Sequence, residues 1–230
     1  MFGVSPGMAA ILNFQAGLDH PVVARTATGS LNRSFTLPIE LSGVSMTING
    51  AACGLKAVSR HRIEFIVPPG LISDLTGTTY PLVINNNGVL MKSIVTIVPT
   101  RPDIFNTEGL LGPGGRTKLF NVTNSVHTTE PFVVRTIKRK GNKLVPSVLR
   151  VYVTGVGNLS SGSITVRIRD SIITPRTDPV IVAPGVYTFD FELPAALAHA
   201  GDQPVVISVN GGTVVFRSRL DDTTSRVFIL

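Results

Sequence analysis

The chain has 230 residues, 43% hydrophobic and only 15% charged, with a net charge of +7. That is apolar material enough for one large all-β domain or two sandwiches, and no apolar run approaches the ~20 residues of a membrane-spanning helix. The basic excess suits an anionic partner or simply a solvated surface, and a single cysteine, Cys53, excludes an intrachain disulfide.

The opening stretch, MFGVSPGMAAILNF, has neither the basic n-region nor the long h-region of a secretory leader. GVSPG at 3–7 matches the G-x-S-x-G elbow in letters only, because Pro6 follows the serine and no strand precedes it. A first strand is expected over 8–14, followed by strands near 45–48, 63–67, 80–85 and 89–98. Asn49-Gly50 and Asn87-Gly88 read as hairpin turns, since both residues tolerate positive φ. Cys53 follows the first of these and reads as a small buried hydrophobe.

PTRPDIF at 99–105 and the glycine-rich GLLGPGG at 109–115 separate two halves, and the boundary is set at 104/105. Beyond it, strands are expected near 118–121, 132–138, 147–154, 164–169, 186–193, 204–209 and 213–220. The run Lys138-Arg139-Lys140, with Arg135 before it and Lys143 after Gly141-Asn142, reads as the exposed tip of a hairpin. No window keeps a helical period, and 195–199 has room for one short turn.

Alternation gives the firmest signal. Tyr187, Phe189, Phe191 and Leu193 fall on one face and Thr188, Asp190 and Glu192 on the other, a pattern repeated by Ile63, Phe65 and Val67. Pro68 and Pro194 end the two strands because proline has no N–H for the ladder. SMTING (45–50) matches TVRIRD (165–170), and YPLVINNNGVLMKSIVTI (80–97) matches QPVVISVNGGTVVFRSRL (203–220), in the same order. The chain thus reads as one domain type written twice, giving the fold class: all-β, two tandem Ig-like antiparallel β-sandwiches, 1–104 and 105–230.

The segments LPIELSGVSMTINGAAC, IEFIVP, PTRPDIF, VLRVYVTGVGN, VAPGVYTFDFELPAAL and GDQPVVISVNGG occur in one order along the chain. In that order they resemble the uncharacterized C-terminal domain family expanded in Solibacter and other Acidobacteria, a double Ig-like, IPT/TIG-like sandwich. The resemblance spans about Val4 to Leu220 and implies an extracellular or cell-surface, noncatalytic module; it supplies no catalytic residue to transfer. The chain departs from the family pattern at KRKGNK, where polar or glycine-rich tips are usual, and at Cys53.

Other chemistry finds little support. His20, His61, His127 and His199 are far apart and lack ligand spacing, and Asp221-Asp222 stands without the acidic neighbours calcium requires. Asp190 and Glu192 read as solvent-facing charges rather than a glycosidase pair. GLLGPGG lacks the lysine–serine partner of a phosphate cradle. Aromatics assigned to core faces leave no stacking platform for nucleic acid, and with no Trp and three Tyr sugar stacking is disfavoured. Asn32, Asn121 and Asn158 head N-x-S/T triplets, which arise by chance.

No cofactor and no metal are expected. Partners are expected to be another protein or a second copy, or an acidic polysaccharide held by Arg135, Lys138, Arg139, Lys140 and Lys143. The apolar tail Val227, Phe228, Ile229 and Leu230 is expected either to add a strand to the fold or to form an assembly contact.

Overall fold

The computed structural model describes residues 3–18, 23–27, 37–111, 114–123, 126–138, 141, 143–157, 159–219 and 223–230. The expectations for His20, Asn32, Arg139, Lys140, Asn158 and Asp221-Asp222 lie outside these residues. The chain divides into two compact units, Met1–Arg101 with Val182–Val186, and Pro102–Ile181 with Tyr187–Leu230.

The first unit holds β1 (Ala9–Asn13), β2 (Arg25–Thr26), β3 (Glu40–Leu41), β4 (Val44–Ile48), β5 (Ala51–Ala52), β6 (Gly54–Ser59), β7 (Arg62–Ile66), β8 (Thr78–Asn86) and β9 (Val89–Ile97). One sheet runs β1-β7-β6-β2, the other β3-β4-β8-β9 with β5 added on β4. All named pairings are antiparallel. Alternate residues of both sheets meet in one core that includes Val44, Met46, Ile48, Leu55, Ile63, Phe65, Leu82 and Ile84, so the unit is a sandwich. Fully burying such side chains contributes about 1.5–3 kcal/mol each. Asn87 at φ 51° and Gly88 at φ 94° make the two-residue turn between β8 and β9.

The second unit holds β10 (Asp103–Ile104), β11 (Leu119–Asn121), β12 (Arg135–Ile137), β13 (Leu144–Pro146), β14 (Val148–Thr154), β15 (Ile164–Ile168), β16 (Ser171–Ile173), β19 (Gly201–Asn210), β20 (Val215–Arg217) and β21 (Arg226–Ile229), with β17 (Val180–Ala183) up to Ile181 and β18 (Val186–Glu192) from Tyr187. Its sheets run β10-β14-β18-β17 with β11 on β14, and β16-β15-β19-β20 with β21 on β19; β12 and β13 form a separate hairpin. Asp103 and Ile104, assigned from sequence to the first half, pair with Thr154 and Val153 of this unit. The expected turn near 195–199 is a short 3-10 helix over Ala195–Leu197.

The two units share one register. Val44↔Asn86, Met46↔Ile84 and Ile48↔Leu82 recur as Ile164↔Val209, Val166↔Ile207 and Ile168↔Val205. Ala10↔Phe65 and Leu12↔Ile63 recur as Leu149↔Phe191 and Val151↔Phe189. The sequence match fails after β19, because the loop there runs from Gly211 to Val214, with Gly211 N–H donating to Val214 at 2.9 Å, in place of the two-residue turn at Asn87-Gly88. Thr188, expected in solvent, is 5% exposed. It lies opposite Tyr152, whose ring Phe120 meets edge-on at 5.7 Å and Lys118 covers at 4.9 Å.

Cys53 is fully buried, and that burial pushes its thiol up to about 12. The native thiol should therefore resist alkylation until the first unit unfolds. Because the folded thiol titrates higher than the unfolded one, its contribution is complete below pH 9.0 and lost as pH rises toward about 12. Urea melts across that window should show a loss of stability that Cys53→Ala reduces.

Candidate functional site

The basic hairpin forms because Arg135–Ile137 and Leu144–Pro146 alternate in the β period. Arg135 faces Pro146, Thr136 faces Val145 and Ile137 faces Leu144. Thr136 is buried while Arg135, Ile137, Lys138, Lys143 and Leu144 are exposed. The Lys138 N–H donates to the Lys143 carbonyl at 2.9 Å and closes the tip, and the Arg135 guanidinium donates to the Leu144 carbonyl at 3.3 Å. Three of the five expected cations, Arg135, Lys138 and Lys143, thus share one small hairpin; Arg139 and Lys140 lie outside the described residues.

Most other arginines of the second unit are neutralised. Arg150 forks onto Asp190 at 2.8 and 3.0 Å, Arg176 meets Glu192 at 2.9 Å, and Arg219 meets Asp103 at 3.0 Å. Asp190 and Glu192, weighed earlier as a carboxylate pair, are occupied in this way. Among the described residues Arg135, Lys138 and Lys143 have no carboxylate within ion-pair reach. Their charges lie on a hairpin with exposed Ile137 and Leu144 at its neck.

The hairpin is an addition to the repeat. The Val4 N–H donates to Thr96 and its carbonyl accepts from Val98, and Phe132 bonds Phe228 and Leu230 in the same way. Between these anchors and the next strand the first unit has only Ser5–Met8, whereas the second has Val133–Ser147, hairpin included.

The same comparison explains the tail. SIVTIV at 93–98 and SRVFIL at 225–230 are the same strand in two copies: Tyr80↔Val95 and Pro81↔Ile94 recur as Gln203↔Val227 and Pro204↔Arg226. Val227 and Ile229 are fully buried in their own unit, and of the four tail side chains only Phe228 and Leu230 keep exposed surface. The outer edge of β21 is also bonded, with Arg226 N–H on the Gly115 carbonyl at 2.9 Å and Thr117 N–H on the Arg226 carbonyl at 2.8 Å.

Around β21 stands an ionic ladder invisible to sequence reasoning. Glu130 takes the Arg116 guanidinium at 2.8 Å and the Phe228 N–H at 2.9 Å, and Arg116 and Arg226 both bond the Asp202 carboxylate. Burial works against the charge of Asp202, but the Arg116 and Arg226 hydrogen bonds outweigh it and hold its carboxyl below the usual range. These residues come from four places in the chain. The SIVTIV–SRVFIL match was the available signal for β21; nothing local announces Glu130 or Asp202.

Elsewhere, His61 Nδ1 lies 3.2 Å from the Phe14 carbonyl, and no group of three metal-ligating side chains gathers among the described residues. Among the described residues no helix is long and apolar enough to cross a membrane.

No family model matches the chain, and no curated protein does. Among solved structures it is similar to two titin Ig tandem structures. The first is 11% identical over 99% of this chain and 91% of that one, at a TM-score of 0.26. The second is 12% identical over 99% and 93%, at 0.24. It is also similar to an endo-fucoidan hydrolase of glycoside hydrolase family 107, 12% identical over 100% of this chain and 27% of that one, at 0.19. Superpositions this loose carry no argument about activity; the sandwich architecture rests on the strand order and register above.

Ile229→Ala should cost about 2–5 kcal/mol of second-unit stability by urea denaturation, and Phe228→Ala less than about 1 kcal/mol. The Asp202 contribution is present above its ordinary value of 3.8 and lost as pH falls through its lower folded value. Asp202→Asn should therefore lower the urea midpoint at neutral pH and leave it nearly unchanged at the acid end.

Proposed function

We propose that the chain is a noncatalytic interaction module of a secreted or cell-surface protein, acting in display, adhesion or assembly. One observation carries this reading: the second copy of a shared sandwich has gained a hairpin its core does not require, with cations that no described carboxylate neutralises. Elsewhere in that unit most of the described arginines, Arg116, Arg150, Arg176, Arg219 and Arg226 among them, are held in internal ion pairs. The secreted or surface setting is supported by the motif resemblance to the Acidobacterial C-terminal domains. Exposed Phe228 and Leu230 support a further contact with a protein partner or a second copy.

A second reading follows from Arg135, Lys138 and Lys143. Closely spaced cations on a short hairpin suit the repeating carboxylates or sulfates of an acidic polysaccharide, and such binding is screened by salt. On heparin and alginate columns the chain should be retained at low salt and eluted as salt rises. Replacing Arg135, Lys138 and Lys143 with glutamine should move elution to distinctly lower salt. Absence of retention, or retention insensitive to both salt and substitution, rejects the polysaccharide. Failure of cross-linking, size exclusion and partner pull-downs to give any complex dependent on the hairpin or on Phe228 and Leu230 rejects the module.

A further inference from the structure

We infer that the outer edge of β9 in the first unit accepts an extended strand from an acidic partner protein. The Val4 N–H meets the Thr96 carbonyl on that outer side at 3.0 Å. Backbone direction alternates along a strand, so Ile94, Lys92 and Leu90 aim their N–H and C=O groups the same way. Pro81 stands opposite Ile94 and has no N–H to offer it. Val4 covers only the end of this edge, and among the described residues nothing bonds the outward groups of Leu90, Lys92 and Ile94. Ile94 is 74% and Leu90 58% exposed. A long open edge with such side chains is a ready template for another strand.

The second unit shows what fits. Its residue equivalent to Ile94 is Arg226, and there the edge is closed by a parallel segment, Gly115–Thr117, through two backbone bonds. Arg116 of that segment pairs with Asp202 on the neighbouring strand, so side-chain charge helps hold the covering strand. In the first unit the outward residues read Leu90, Lys92, Ile94: apolar, cationic, apolar. The complement is a strand with an acidic side chain between two apolar ones. A second copy pairing antiparallel about Lys92 would set like charges opposite one another, which destabilises, and both chains carry +7. The occupant is therefore an acidic partner strand.

This inference rests on reading the chain as an interaction module and adds a contact remote in sequence from the hairpin. The probe is a synthetic peptide of alternating valine and threonine with one central glutamate, beside a twin with central lysine, titrated onto the full chain. The glutamate peptide should bind and slow amide exchange at Leu90, Lys92 and Ile94. Its affinity should fall about fivefold or more with Ile94→Pro, which removes an outward N–H and costs no ladder bond. Lys92→Glu should reverse the preference between the twins, and it serves alone should Ile94→Pro disturb the circular dichroism melt. No binding, equal binding of the twins, binding unchanged in the variants, protection elsewhere, or self-association protecting β9 each overturns the proposal. None of these alters column retention through the hairpin, so failure here is distinguishable from failure of the module reading.

Discussion

The ladder between β4 and β8, with its copy between β15 and β19, fixes what the rest of each unit can do. A slip of one residue would turn Val44, Met46 and Ile48 outward and bring Ser45 and Thr47 in. Because Ile164, Val166 and Ile168 keep the same partners' positions on β19, the inner face of the second unit is set by the same rule. The facing sheet obeys it too: Phe65 and Phe191 each stand opposite an inward residue, Ala10 and Leu149. Large against small in one copy becomes large against large in the other. The register tolerates this exchange because it fixes direction and leaves volume to be matched locally.

With the cores matched, the units differ at their edges. Open backbone at a sheet edge invites pairing, and the second unit covers two strands, β14 and β21, with residues that precede Phe132. β10 and β11 lie along β14, and Gly115–Thr117 lies along β21. The ionic ladder of Glu130, Arg116, Asp202 and Arg226 then ties this covering segment to the final strand. In the first unit the equivalent strands, β9 and β8, keep Ile94 and Thr79 where the second has Arg226 and Asp202. Exposed ion pairs of this kind contribute little singly; their consequence here is to hold one particular strand in one particular place.

Sequence reasoning succeeded where alternation and turn chemistry agree. Ile63, Phe65, Val67, Phe189, Phe191 and Leu193 were legible because period two survives along β7 and β18, and Asn87-Gly88 because its turn demands positive φ. It missed β6, where the register shifts between Leu55 and Ala57, so that Leu55 and Val58 both face inward three residues apart and the period breaks. It aligned the end of the second copy wrongly because the loop after β19 is longer than its counterpart and residues 218–225 lie between β20 and β21. The hairpin was legible from its charge run. The covering of β21 was not, because its donors and acceptors come from residues far apart in sequence.

The placement of the hairpin follows from the same geometry. The Ser147 N–H donates to the Val134 carbonyl at 2.9 Å, so the insertion leaves and rejoins the sandwich at one point. Lengthening a loop whose ends already touch costs little, since closure entropy grows only with the logarithm of length. Residues beyond that point are released from core packing, apart from Thr136, which turns inward. Side chains there need satisfy neither a ladder face nor an internal ion pair. Cations exposed on the hairpin are screened by water, whereas Arg150 in β14 is paired with Asp190 of the neighbouring β18. Arg135, Lys138 and Lys143 thus stand without a described carboxylate partner while Arg150, Arg176 and Arg219 are held in ion pairs.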